Sequence, residues 1–153
     1  MERSQPTASV PSRGTTVIHL LMAGIALIGL AEATYLTVLA LTGETAVCGG
    51  SAGCFQVLGS SYAKIGQIPV ASLGAIAYFA VFTFATFAAS GYASARKFLA
   101  VTVSMMFLFT LWLLGVQAFL LHAFCRYCLV SASLIFLLTG LLVATPPRSQ
   151  NSR

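Results

Sequence analysis

Charge is what this chain has least of. Among its 153 residues only three are acidic and eight are Lys or Arg, so charged side chains make up 7% of the sequence, against about 25% in soluble domains. With 58% apolar residues alongside that deficit, a soluble globular domain is excluded and an integral membrane protein is implied. The formal charge of +5 would suggest nucleic acid in a soluble protein. Here the bases flank apolar runs and follow a topological rule instead, which argues against a nucleic-acid partner.

Between its few polar stretches the chain is almost continuously apolar. Residues 1–15, MERSQPTASVPSRGT, show no apolar periodicity and read as a disordered tail. The run from Val17 to about Leu41 is longer than the roughly 7–15 apolar residues of a signal peptide, so it reads as a first span. Thr42 to Gln67 is rich in Gly and Ser and cannot satisfy its backbone in hydrocarbon, which makes it the one long loop. A second span runs over about 68–89, with Pro69 in its first turn where a missing N–H is tolerated. The chain is then apolar from Phe98 to Ala144, interrupted among larger polar side chains only by Gln117, His122 and Arg126. A single helix of that length would reach about 70 Å, more than twice a hydrocarbon core of about 30 Å. It must therefore reverse. Neither Gly nor Pro marks the place, and the polar residues put it near His122 to Arg126, giving spans of about 98–121 and 126–144. The expected fold is an all-α, four-helix transmembrane bundle over residues 16–145, with a short tail at 146–153.

Four spans bring both termini to one side, and the long loop and third turn to the other. Arg3, Arg13, Arg96, Lys97, Arg148 and Arg153 share the terminal side, whereas only Lys64 and Arg126 share the other. Positive residues stay in the cytoplasm, so the loop and all four cysteines are expected to be extracytoplasmic, where disulfides persist.

Cys125 and Cys128 form a Cys-x-x-Cys pair with Arg126 between them. At the start of a helix two such residues lie one turn apart on one face, close enough for a reversible disulfide. A helix N-terminus and a neighbouring Arg favour the thiolate, most of all at Cys125. A dithiol at the bilayer edge can meet a water-soluble protein disulfide on one side and a lipid-soluble electron acceptor on the other. Two buried thiols capping a helix are the structural alternative. Cys48 and Cys54, in CGGSAGC, are separated by five small residues, so their loop can close or open a disulfide with little strain, and a purely structural disulfide is open as well. A zinc site from all four thiols fits less well, because structural zinc commonly uses two tight Cys pairs.

These stretches together resemble a known family. YLTVLALTG followed by CGGSAGC, then VLGSSYAKIGQIPVASLG and FCRYCLVSA, are similar to the bacterial homologues of vitamin K epoxide reductase over about Glu32 to Leu134. The resemblance implies a four-helix bundle around a quinone, ubiquinone or menaquinone, with a semi-helical loop over its extracytoplasmic mouth. It implies that Cys54 accepts electrons from a reduced thioredoxin-like protein, that Cys48 relays them to Cys125, and that Cys128 reduces the quinone. It places Ser60 near the quinone ring, with Ser61 the neighbouring candidate for the same role. The positions that bind the ring carbonyls in the animal enzymes correspond to Val70 and Ala132 here. Many bacterial relatives carry a fused thioredoxin-like domain after the last span; the present sequence ends at Arg153, and a separate partner is expected.

The expected activity is thus that of a quinone-linked thiol oxidant in the bacterial inner membrane, which reoxidises the thioredoxin-like protein and drives disulfide formation in exported proteins. The alternative is a non-catalytic membrane protein whose cysteines brace a loop or bind metal. Glu32 lies within the first span, where a carboxyl is expensive and functional by default, though a packing role competes. His122, one turn before Cys125, is a candidate proton carrier or a solvated bystander. His19 is expected near the cytoplasmic edge. Phe107, Phe109, Phe119, Phe124 and Trp112 are packing or lipid-facing residues first, any of which could border a quinone.

Overall fold

Inside hydrocarbon every backbone N–H and C=O must find its partner within the same segment, which drives each long apolar run into helix. The computed structural model describes residues 12–42 and 52–145; Cys48, most of the expected tails and the first part of the loop lie outside them. Among the described residues the chain forms α1 (Arg13–Thr42), α2 (Ala52–Leu58), a 3-10 turn (Ser61–Ala63), strands β1 (Lys64–Ile65) and β2 (Ile68–Pro69), α3 (Val70–Ala89), α4 (Ala93–Gly115) with a π-helical extension (Val116–Leu121), and α5 (Arg126–Ala144). Four of these, α1, α3, α4 with its extension, and α5, are long and apolar enough to cross a membrane. The fold is the four-helix membrane bundle that the apolar runs imply.

Helix α1 begins at Arg13, ahead of the apolar run that opens at Val17. The helical hydrogen bonds already begin there: the Ser12 carbonyl accepts the Thr16 N–H at 3.1 Å, and the Ser12 hydroxyl pairs with that of Thr15 at 2.8 Å. Packing closes the bundle in a ring, α1 mainly on α3, α3 on α4, α4 on α5, and α5 back on α1. Lipid tails are as apolar as leucine, so close approach of small residues takes over from hydrophobic drive. Accordingly Ala23, Ala26, Gly29 and Ala33 form the buried stripe of α1, packed with Tyr78, Val81, Ala85 and Ala88 of α3. Gly29 lies directly under the Tyr78 ring, and a Cβ there would overlap it. Large apolar side chains such as Leu20, Phe79, Val101 and Phe119 point outward to the lipid.

Two connections set up the site. A two-residue turn joins β1 to β2, with Ile65 paired to Ile68 and Gly66 supplying the positive φ of 66° that such turns need. The reversal between α4 and α5 is made by His122, at φ 47° and ψ 33°. This left-handed conformation ends many helices and is usually taken by Gly, although His is among the side chains that tolerate it. The Gln117 carbonyl anchors the turn, accepting the N–H groups of both His122 and Ala123. A turn made by His rather than Gly or Pro is the reason the reversal lacks a sequence marker.

Candidate active site

Cys125 occupies the residue just before α5, with extended φ and ψ of −92° and 126°, and is completely buried. Its backbone N–H donates to the Gln117 side-chain oxygen at 3.1 Å. Gln117 is itself 3% exposed, so one buried amide holds the reversal twice, through its carbonyl at Ala123 and through its side chain at Cys125. Cys128 follows one turn later on α5, and both residues carry free thiols. The Cys128 thiol donates a hydrogen bond to the Cys125 sulfur. That bond, helped by the backbone N–H groups of Cys128 and Tyr127 and opposed by burial, draws the Cys125 thiol down to about 6. Cys125 is therefore the sulfur prepared to be the thiolate, the species that exchanges.

The loop brings its own sulfur to this turn. Cys54, on α2, is 2% exposed and shares one buried cluster with Val57, Ala123 and Cys125. It is disulfide-bonded. Two features seat α2 there. A Cβ on Gly53 would stand 3.0 Å from the Phe124 carbonyl oxygen, so any side chain here would press the helix away by at least a few tenths of an ångström. Gln56 donates its side-chain N–H to the Leu121 carbonyl at 3.1 Å. Farther along the loop, the Tyr62 ring meets Trp112 of α4 edge-on, with centroids 6.4 Å apart.

Beneath the loop lies a partly open cavity of about 580 Å³, lined by the four spanning helices and the loop. Its walls are largely apolar, with Leu36, Met106, Phe109, Leu113 and Ile135 among them, and its polar groups include Ser60, Tyr78, Thr110, Gln117 and Ser131. Cys128 opens onto this cavity, whereas Cys125 is buried on the loop side among Cys54, Val57 and Ala123. The helical offset of one turn thus separates the two sulfurs of the pair, one toward the loop cysteine and one toward the cavity. Tyr78, 1% exposed, crosses from α3 to α5: its hydroxyl lies 2.8 Å from the Ser131 hydroxyl and donates to the Ser131 carbonyl at 3.2 Å.

Of the residues singled out from sequence, Cys54, Cys125 and Cys128 converge, and Ser60, Val70 and Ala132 line the same cavity as Cys128. Ser60 donates its hydroxyl to the Val57 carbonyl at 2.8 Å, while Ser61 is exposed. Cys48 lies outside the described residues. His122 is exposed and its backbone makes the turn. Phe109 borders the cavity; Phe107 packs edge-on against Phe136 at 5.3 Å, and Phe119 and Phe124 face outward. Glu32 is also among the lining residues, with both carboxyl oxygens buried and, among the described residues, without a hydrogen-bond partner. Gly53, Gln117 and the Tyr78–Ser131 pair are the site residues that sequence reasoning missed. Only Gln117 left a trace, as a lone amide in an apolar run.

No curated protein matches the chain significantly. A family model described as the vitamin K epoxide reductase family does match, over residues 20–143. That range takes in the greater part of all four spanning helices, the loop between α1 and α3, and the Cys-x-x-Cys turn. A four-helix membrane bundle with a dithiol at the head of its last helix and a loop cysteine packed on it thus belongs to the vitamin K epoxide reductase family of membrane oxidoreductases.

Proposed function

We propose that this chain is a quinone-linked thiol–disulfide oxidoreductase of the bacterial inner membrane that reoxidises a separate thioredoxin-like protein outside the cytoplasm. The single observation that carries the reading is the burial of Cys54 and Cys125 in one cluster while Cys128 turns onto the cavity. In the proposed sequence a thiolate of the reduced partner attacks Cys54 and releases Cys48. The partner's second thiol then resolves the mixed disulfide, leaving the partner oxidised and Cys48 and Cys54 as a dithiol. Cys48 next attacks Cys125 in the Cys125–Cys128 disulfide, and closure of Cys48 with Cys54 leaves Cys125 and Cys128 reduced. At that point the dithiol holds an electron pair beside the cavity.

The cavity chemistry fits a quinone: apolar walls suit a ring and an isoprenoid tail, and the hydroxyls of Ser60 and Tyr78 lie among them, each of which would have to turn from its present acceptor, the Val57 or Ser131 carbonyl, to donate to a ring oxygen. Val70 and Ala132 would flank the ring as apolar contacts. A quinone bound there supplies the acceptor for two electrons and two protons. The residues contribute alignment of the sulfurs and exclusion of water.

Sidedness is supported by the bases. Arg13, Arg96 and Lys97 lie at the opposite end of the spanning helices from Lys64 and Arg126, and His19 of α1 lies close enough to Arg96 of α4 to interact with it electrostatically. The positive-inside rule then puts the cysteines outside and both termini in the cytoplasm. A Cys48→Ala protein expressed in cells tests the whole reading, because a partner that attacks Cys54 remains attached when Cys48 cannot return. Recovery of a thioredoxin-like protein in a reducible adduct at Cys54 is expected. Labelling of either pair by an impermeant thiol reagent from the cytoplasmic side, or purified protein that transfers no electrons from thiols to quinone, would overturn it.

A further inference from the structure

We propose that Glu32 is the acid that delivers the second proton when the Cys125–Cys128 dithiol passes its electron pair to a quinone in the cavity. The inference rests on the quinone reading above and deepens it.

The chain has three acidic residues in all, Glu2, Glu32 and Glu44, and Glu32 alone falls among the described residues. It sits within α1, on a membrane-spanning helix, where an ionisable group is retained for a reason. A structural carboxyl in such a place is held by hydrogen bonds from neighbouring helices. Among the described residues Glu32 has none: both oxygens are buried and unpartnered, and the nearby hydroxyls of Tyr78 and Ser131 are engaged with each other at 2.8 Å. Glu32 is nonetheless one of the residues that line the cavity, together with Cys128, Tyr78 and Ser131, its carboxyl set just behind the surface. It is close enough to Cys125, Cys128 and Tyr78 to interact with them electrostatically.

Proton balance gives that placement a purpose. With Cys125 as thiolate and Cys128 as thiol, closing the disulfide releases two electrons and one proton. Reduction of a quinone to a quinol consumes two electrons and two protons. One proton is missing from the sulfur side, and it must come from another acid at the cavity. In the proposed step the O–H bond of the Glu32 carboxyl breaks as the second quinol O–H bond forms, leaving Glu32 as a carboxylate. A buried carboxylate without a donor is unfavourable, which favours its reprotonation from water before the next turnover. The other titratable groups facing this region are Cys125 and Cys128 at the head of α5, Tyr127 on α5, Tyr78 on α3, and Tyr62 and Lys64 from the loop. From α4 and its extension the polar lining residues are Thr110 and Gln117, neither of which titrates in this range.

The test uses the full chain in detergent, reduced, with a short-tailed soluble quinone. Infrared spectroscopy of the quinone-free protein at neutral pH is expected to show a protonated-carboxyl band. That band should persist when Glu2 and Glu44 are replaced by Gln, and vanish in Glu32→Gln. A wild-type protein without the band overturns the proposal even if Glu32→Gln fails to fold. In single-turnover mixing, Glu32→Gln should slow quinone reduction by about 10²-fold at neutral pH, the scale of a lost general acid. The gap should widen as pH rises and free protons become scarcer. Glu32→Asp, which keeps an acid, should recover part of the rate. Wild-type quinone reduction matched by Glu32→Gln at every pH overturns the role of Glu32 and leaves the quinone reading standing. A wild-type protein that exchanges thiols but reduces no quinone overturns both.

Discussion

Replacing Cys128 by Ala should raise the Cys125 thiol, because the hydrogen bond donated by Cys128 is the main cause of its low value. The measurement is cleanest in a Cys48→Ala, Cys54→Ala background, where Cys125 and Cys128 are the remaining thiols. With Cys125 at about 6, about nine-tenths of it is thiolate at pH 7. With the donor gone and only the turn's N–H groups left against burial, the group should return at least to the ordinary thiol value of about 8.5, where about 3% is thiolate at pH 7. The thiolate population therefore falls about 30-fold, and since a more basic thiolate is a better nucleophile, the population rather than the alkylation rate is the quantity to read. Thiolate ultraviolet absorbance followed against pH reads the midpoint without depending on reagent access. Cys128→Ser, whose hydroxyl still donates, should stay nearer the parent than Cys128→Ala. The sign of the linked stability follows. A thiol held low in the folded protein contributes stability that is fully present above about 8.5 and is lost as pH falls through about 6. The reduced parent should thus lose melting temperature over that interval on acidification, and Cys128→Ala should not. An unchanged Cys125 midpoint in Cys128→Ala would refute the reasoning, since the helix start and Arg126 would then account for the acidity without the second sulfur.

Other perturbations follow from individual contacts. Gly53→Val places a branched side chain against the Phe124 carbonyl, where even a Cβ has only 3.0 Å; displacement of α2 by about 1 Å should slow exchange between the loop and turn cysteines by about 10²-fold, read by quenching and mass analysis of the disulfides. Gln117→Leu leaves the buried Cys125 N–H without its acceptor and should destabilise the bundle by about 1–3 kcal/mol, measured as a lower midpoint of detergent-induced or thermal unfolding. Tyr78→Phe removes the link to Ser131 and should cost about 0.6 kcal/mol, the average for interhelical hydrogen bonds in a membrane; an unfolding midpoint raised by the change would contradict the contact.

Much of the architecture was legible because the membrane imposes one rule on every span: long apolar runs become helices, and the few polar side chains mark where they stop. Gln117, His122 and Arg126 bracketed the α4–α5 reversal for that reason. The way the reversal is built was not legible. A left-handed His122 and a π-helical turn around the Gln117 carbonyl are tertiary solutions, and no local preference announces them. α1 starts at Arg13 because backbone hydrogen bonding begins with the Ser12 carbonyl and the Thr16 N–H, ahead of the apolar run and independent of hydrophobicity. The cysteine spacing identified which sulfurs belong together within the CxxC pair, yet the packing of Cys54 on Cys125 depends on Gly53 and Gln56, whose partners lie on a distant segment. Glu32 was conspicuous as a charge in a span, but its lack of a partner becomes visible only when the neighbouring hydroxyls are seen to satisfy each other.

The complete burial of Cys125 has a consequence for selectivity. Its sulfur is walled off by Cys54, Val57 and Ala123, so a small dissolved thiol such as glutathione meets a closed surface and must wait for α2 to lift, whereas the Cys48 thiolate proposed to attack it is tethered to that same helix, six residues from Cys54. The shield therefore insulates the inner pair from the ambient redox buffer and couples it by proximity to its own loop.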